Sequence, residues 1–288
     1  MTQMRRQPPM SGDPRPALSA GIAPLLERDG MRSNAADALS TIARIGYRAV
    51  QWSATVAGVR PRDLDDGARR GLRSELRRLE LACSGVDVWI PPGHFLDAAT
   101  IDRAVDALRD AIEFAAALAE PGRERPVVCT MLPSLAERKA VVSSAALDDA
   151  VRTIASIAER EGILVADHAV EADARLAVGV DPPAAFASSA DPVALVAQAG
   201  ARLASARLVD LFRSGLRGPV GEPGEARLDL DHYRAALDVV GFRRPLVVDA
   251  RQWRDPRGGL VISVERWAGG PIARLGASRP AQSEGSVT

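Results

Sequence analysis

Lysine is nearly missing from this chain of 288 residues: Lys139 is the only one among 37 basic side chains. That leaves no basis for a Schiff-base lysine or a phosphate-cradling one, and with no Gly-Lys-Ser/Thr sequence anywhere, Walker-type nucleotide hydrolysis drops out. Cysteine is almost as scarce. Cys83 and Cys129 are too few for a disulfide framework or a zinc site, and each sits in an apolar, strand-like run. No apolar segment follows Arg5-Arg6 to make an export signal, so the expectation is a reduced, cytoplasmic protein. Net charge is missing too: 37 basic residues cancel 37 acidic ones, and no whole-molecule field gathers nucleic acid or an anionic membrane. No apolar run approaches the roughly 18 to 20 residues that span a bilayer.

What remains is the composition of a globular protein, 47% hydrophobic and 26% charged. The length could hold two ordinary domains, but an α/β barrel uses about 250 residues as one. Residues 1–16 carry four prolines and no periodic face, and residues 276–288 are small and polar; both read as disordered tails. Between them, over residues 17–275, strand-like runs alternate with amphipathic helical patterns. Strands are expected at 18–25, 49–53, 81–90, 126–132, 163–166, 178–180, 203–209 and 245–248. Helices are expected at 34–45, 64–79, from 100 onward, and at 145–161, 192–199, 229–240 and 262–275. Eight strands with helices between most of them predict a single (β/α)8 TIM barrel. Only nine residues separate His168 from Val178, too few for a crossover helix, so the fifth helix is expected to be rudimentary or missing. The competing layout, an open doubly wound sheet, lacks a glycine fingerprint after its first strand, and no nucleotide cofactor is expected.

Barrel chemistry sits at the carboxyl ends of the strands, which directs attention to the residues there. The second strand ends in Gln51-Trp52, and the third runs into Trp89 and, past Pro91-Pro92, to His94. The fifth ends in Asp167-His168, the sixth in Asp181, the seventh passes Arg207 to Asp210, and the eighth ends in Asp249. Asp181 and Asp249 could also simply pair with nearby arginines such as Arg207 or Arg251, and Trp52 and Trp89 could stack on a sugar ring or pack in the core. His232 falls inside the helix at 229–240 and reads as structural. The turn-rich stretch 218–225 could cradle an anion through its backbone or serve only as a connection.

Several segments resemble the sugar phosphate isomerase/epimerases, the xylose isomerase-like or endonuclease-IV-like barrels. They are Ile45-Gly46-Tyr47-Arg48-Ala49-Val50-Gln51, Gly162-Ile163-Leu164-Val165-Ala166-Asp167-His168, Val178-Gly179-Val180-Asp181, Gly218 to Glu225 with Leu228-Asp229-Leu230, and Pro245-Leu246-Val247-Val248-Asp249. The resemblance implies a divalent cation (manganese, magnesium or zinc) at the barrel mouth and two glutamates moving a proton beside a carbonyl. This chain departs from that pattern. His168, or Asp167 by a one-residue slip, falls where the fifth-strand glutamate belongs; Arg207 and Ala184 fall on family histidines; Asp249 is a methylene shorter than the eighth-strand glutamate. A guanidinium cannot be a metal ligand, so Asp181, Asp249 and His168 remain as ligands of a weakly held or lost cation.

Two functions stay open. In the first, an isomerase or epimerase of a small carbohydrate or keto-polyol uses His168 or Asp167 with Asp249 as acid and base. Gln51, Trp52, Trp89, His94, Arg207 and Asp210 contact the substrate, with the metal or Arg207 stabilising the enediolate. In the second, the barrel binds a carbohydrate or metabolite without catalysis. Three histidines are too few for the multi-zinc cluster of a DNA repair endonuclease.

Overall fold

The computed structural model describes residues 16–28, 31–32, 34–140 and 144–269. The expected tails, apart from Pro16, and residues 270–275 lie outside these. Eight strands run parallel: β1 (Leu18–Gly21), β2 (Ala49–Ser53), β3 (Ala82–Asp87), β4 (Val127–Thr130), β5 (Leu164–Asp167), β6 (Ala177–Val180), β7 (Leu203–Ala206) and β8 (Leu246–Val248). Neighbours from β1 through β7 pair in chain order, and β8 pairs with β1. The last seam, between β7 and β8, is closed by a single parallel bridge, Arg207 to Val247, with the Leu208 amide donating to the Val247 carbonyl at 2.9 Å. The result is a (β/α)8 TIM barrel.

The helices form where the apolar stripes predict them. The first major helix, α1 (Ala35–Ile45), starts where the Asn34 side chain accepts from the Asp37 amide. It ends at Gly46, whose φ of 109° only glycine adopts freely. Next come α2 (Asp66–Arg78), α3 (Ile101–Leu118) and α4 (Ser144–Glu161). Along α3, Ile101, Val105, Leu108, Ile112 and Ala115 are buried at helical spacing. Each of the Ile, Val and Leu side chains stabilises the packing of helix on sheet by roughly 1.5–3 kcal/mol. After β6 comes α5 (Pro192–Ala199), after β7 α6 (Leu230–Val239), and after β8 α7 (Pro256–Trp267).

No helix joins β5 to β6. Several expected bounds move, three of them for plain local reasons. The first strand stops at Gly21 because Ala23–Leu26 forms a helical turn, and the third stops at Asp87, short of the Pro91-Pro92 pair, which lacks donors for a ladder. The last helix starts at Pro256, six residues before the expected 262, because Asp255 caps it by accepting from the Gly258 amide and Pro256 suits a first turn.

Contacts between non-neighbouring strands identify the barrel interior, since such residues meet only across the lumen. Ser19 on β1 reaches Ser84 on β3 at 2.6 Å. Gln51 Nε2 on β2 donates to Cys129 Sγ on β4, which lies 3.4 Å from Ser205 Oγ on β7. A separate small cluster of Val127, Cys129, Ala166 and Ala204 lines the same space, while Val128, Val165 and Val248 belong to the outer core under the helices. The lumen is thus lined by small and polar side chains, which leaves room for large charged ones at its upper end.

Candidate functional site

Alternation along the strands carries Asp87, Asp181, Arg207 and Asp249 to that upper end. Arg207 is 1% exposed and stands at the centre. Its Nη1 donates to Asp249 Oδ2 at 2.6 Å and to Asp181 Oδ2 at 3.3 Å, and its Nη2 donates to Asp87 Oδ1 at 2.6 Å. Two further arginines close over the same carboxylates. Arg251 donates from Nη2 to Asp249 Oδ2 at 2.7 Å, and its Nη1 lies 2.7 Å from Asp87 Oδ2. Arg217, on the hairpin Asp210–Leu211 and Arg217–Gly218, reaches Asp181 at 3.3 Å and Asp249 at 3.5 Å. Three carboxylates therefore face three guanidiniums in a neutral, buried knot. Tyr233 of α6 fixes it from behind, its hydroxyl donating to the Arg207 carbonyl at 3.1 Å.

Burial by itself would lower the pKa of Arg207, but Asp87, Asp249 and Asp181 outweigh it and push the pKa up. Burial likewise works to raise Asp249, yet Arg207 and Arg251 hold its carboxyl well below the usual carboxylate range. The Trp89 ring lies over this knot with the Arg251 guanidinium 4.9 Å and the Arg207 guanidinium 5.8 Å from its centroid. Trp89 is 39% exposed.

A divalent cation does not fit this donor set. The point toward which Asp87, Asp181 and Asp249 converge holds a guanidinium, and among the described residues no group of three His, Cys, Asp or Glu side chains is arranged to hold a metal.

His168 and Asp167 divide at the end of β5. His168 turns into the lumen and packs on Gly179 of β6, where an added Cβ would come within 2.4 Å of the imidazole, so glycine is required there. The ring is 2% exposed, and neither of its nitrogens has a hydrogen-bond partner. Burial first, then the charges of Arg207 and Arg251, keep it neutral, with a pKa well below the usual imidazole value.

Asp167, expected as the alternative acid or base, faces the opposite way. Its carboxylate accepts from the Leu132, Ala169 and Asp173 amides at 3.0, 3.0 and 3.1 Å, which commits it to the β5–β6 connection. Asp210, expected to touch a ligand, accepts from the Leu211, Arg227 and Leu228 amides and so pins the loop after β7. Trp52 points outward under the helices, with Nε1 donating to the Val59 carbonyl at 2.7 Å and the ring against Phe114. Gln51 lies inside the lumen on Cys129. His94 is exposed on the Pro92–Phe95 turn, away from the knot's hydrogen bonds. His232 is exposed and pairs with Asp229 at the start of α6. The 218–225 stretch is tied to α7, as Arg266 donates to the Val220 carbonyl and to Glu222.

Three members of the knot were missed or undervalued in the sequence. Asp87 lay inside a strand expected to continue to residue 90 and so did not read as a strand end. Arg217 sits in a loop with no periodic signal. Arg251 read only as a possible pairing partner of Asp181 or Asp249, not as part of a site.

No family profile matches the chain, and no curated protein matches it by sequence. Solved structures do share its fold. A xylose isomerase domain protein from Planctomyces limnophilus is 15% identical, with a TM-score of 0.63 over 88% of this chain and 96% of that one. The D-allulose 3-epimerase from Methylomonas sp. in complex with D-allulose is 15% identical, with a TM-score of 0.64 over 88% and 97%. The probable 3-DHS dehydratase AsbF from Bacillus anthracis is 12% identical, with a TM-score of 0.62 over 88% and 98%. The chain therefore shares the barrel fold of these proteins. Neighbours that include an epimerase and a probable dehydratase show that the fold carries more than one reaction, so function must be read from the residues at the mouth.

Proposed function

We propose that this protein binds a small carbohydrate-like ligand at the mouth of a sugar isomerase-type barrel, with Arg207 standing where such barrels hold a cation, and without metal-assisted proton transfer. The observation that carries this reading is the threefold engagement of a buried Arg207 with Asp87, Asp181 and Asp249. A general base needs a lone pair free to receive a proton and a pKa near the working pH. Asp87, Asp181 and Asp249 each face at least two guanidiniums, and Asp249 is driven to low pKa, which makes it a weak base. What the mouth offers a ligand is recognition. Trp89 presents part of an aromatic ring, and the partly exposed Arg217 and Arg251 present donors that suit the hydroxyl and carbonyl oxygens of a sugar.

Calorimetric titration with ketohexoses, D-allulose first, tests the proposal in the presence of EDTA. Saturable binding that is indifferent to EDTA and lost in Trp89→Ala is expected, with no deuterium entering the sugar in D2O. Absence of binding to every ketose and polyol tried would overturn it.

One observation favours a second reading, a metal-free isomerase. His168 keeps both ring nitrogens unpaired beside the permanent charge of Arg207, which could hold an enediolate oxygen while the imidazole moves the proton. Deuterium incorporation by the wild type that disappears in His168→Gln selects this reading over the first.

A further inference from the structure

Outside the barrel, the connection from β2 to α2 and the facing side of α3 enclose a cleft of about 440 Å³. Small-molecule sites commonly measure about 300–1,000 Å³. Charges of both signs line this cleft without meeting. On α3, Arg103, Asp106, Ala107 and Asp110 stand at i, i+3, i+4 and i+7, so they share one side of the helix. Arg60 and Arg62 line the cleft from the connection. Asp106 is taken by Arg109 at 2.6 Å, and Arg62 leans toward Asp63 at 4.0 Å. Arg60 donates from Nε to the Thr55 carbonyl at 2.9 Å but has no carboxylate partner among the described residues. Arg103 and Asp110 make neither a hydrogen bond nor an ion pair there.

We infer that this cleft is a second binding site, distinct from the mouth, for an ω-amino acid whose carboxylate rests on Arg60 and Arg103 and whose ammonium rests on Asp110. The inference is independent of the proposed function. Elsewhere on the surface an arginine and an acid one helical turn apart close on each other, as Arg78 does on Glu75 at 2.6 Å. Here the opposite charges share a cavity and stay separate, which leaves both for a guest.

The spacing of the walls selects the ligand. Arg103 and Asp110 lie two turns apart on α3, about 10 Å along its axis, too far for an α-amino acid that carries both charges on one carbon. A carboxylate and an ammonium joined by several methylenes bridge that distance, once the two side chains reach inward. Ala54, Pro61 and Ala107 give the methylenes an apolar bed. Guanidinium donors on a carboxylate, and a carboxylate accepting from an ammonium, are the charge-assisted bonds that reward such a guest. The connection is also held in place. Asp63 Oδ2 accepts from the Gly58 amide at 2.8 Å, and Arg69 Nη2 donates to the Pro61 carbonyl at 3.0 Å. The site is thus formed before the ligand arrives, which lowers the cost of binding.

The test is calorimetric titration with 5-aminopentanoate, with pentanoate, pentylamine and alanine alongside. Saturable, one-to-one binding of 5-aminopentanoate is expected. Each one-charge analogue should bind at least about tenfold more weakly because it leaves one charge pair unmade, and alanine should be as weak because it cannot span both. Asp110→Asn should bring the affinity for 5-aminopentanoate down to that for pentanoate, and Arg103→Gln should weaken it as well, whereas Trp89→Ala, which alters the mouth, should leave it unchanged. Arg103 is exposed and Asp110 half-buried on the outer side of α3; melting curves establish that both variants are folded, and either one suffices if the other is not. No saturable binding, equal binding of pentanoate, pentylamine or alanine, or an affinity that survives both α3 variants would overturn the inference. So would binding lost in Trp89→Ala, since the amino acid would then be a ligand of the mouth.

Discussion

At the scale of single residues the decisive side chain is Arg207, whose value lies in what it leaves behind when removed. Its loss strands Asp87, Asp181 and Asp249 in a buried space with only Arg217 and Arg251 as partners, and breaking a buried ion pair in this way costs about 3–5 kcal/mol. Arg207→Ala should lose stability on that order in urea denaturation; a loss under about 1 kcal/mol would mean that the knot is solvated and weak. Arg207→His has a different outcome. It takes the knot from three guanidiniums to two against three carboxylates and puts an imidazole beside oxygen donors, so manganese binding that is negligible in the wild type should appear in calorimetry. Tight stoichiometric binding by the wild type, abolished in Asp181→Ala, would show that a metal site survives beside Arg207. His168 sets a pH dependence of definite sign. Its folded pKa lies well below the usual value, so the unfolded chain takes up a proton below about pH 6.5 that the folded chain refuses. Stability from this group is complete above pH 6.5 and falls as pH drops, by up to about 1.4 kcal/mol per unit. His168→Gln should flatten the slope between pH 6.5 and 5, as measured by denaturant midpoints; an unchanged slope would mean that the ring protonates in the folded state. Arg207, Asp181 and Asp249 were legible in the sequence because strand ends of a closed barrel share one mouth. The choice between Asp167 and His168 was not, because a one-residue slip exchanges lumen for helix side and short β5 carries too few alternating residues to fix it.

Among the elements, the β5–β6 connection is the one that departs from the repeating pattern. Nine residues sufficed to predict the missing helix, since chain length alone forbids it. How those residues stay folded was not legible, because it depends on one carboxylate meeting three amides from two segments distant in sequence. Burial raises the Asp167 pKa against the pull of the Leu132, Ala169 and Asp173 amides, and those three hydrogen bonds commit the side chain to structure rather than to proton transfer. Asp167→Asn presents an amide N–H to those donors and should cost at least about 1.5 kcal/mol, with faster hydrogen exchange at Leu132, Ala169 and Asp173. Exchange unchanged at all three would show that the connection is held by the Asp173 clamps alone. The same contrast runs through the remaining elements. The start of a helix such as Ile101–Leu118, with its long apolar stripe, was readable to within a residue. The Asp210–Leu211 and Arg217–Gly218 hairpin, with two residues per strand and no periodicity, was not, although it delivers Arg217 to the site.

For the molecule as a whole, the question is what closes the barrel. Seven interfaces between strands are ladders, whereas the eighth, between β7 and β8, is one bridge at Arg207 and Val247. The side chain of that same Arg207 spans the lumen to Asp87 on β3, Asp181 after β6 and Asp249 after β8, so the knot at the mouth also fastens the weakest seam. The two free cysteines report on that fastening from different places. Cys129 sits in the lumen against Gln51 and Ser205, with burial pushing its thiol up to about 11, while Cys83 belongs to the outer core, its thiol pushed up to about 12. Neither reacts while buried and protonated, so each labels only when its own surroundings open. If the knot keeps the barrel closed until it unfolds as a unit, both cysteines should react with a thiol reagent at one common rate, matching global unfolding by circular dichroism. In Arg207→Ala the seam is free to part on its own, and Cys129 should then label faster than Cys83, as peptide mapping by mass spectrometry would resolve. Faster labelling of Cys129 in the wild type would mean that the lumen opens with the knot intact, and that the ion pairs at the mouth serve the ligand without holding the barrel shut.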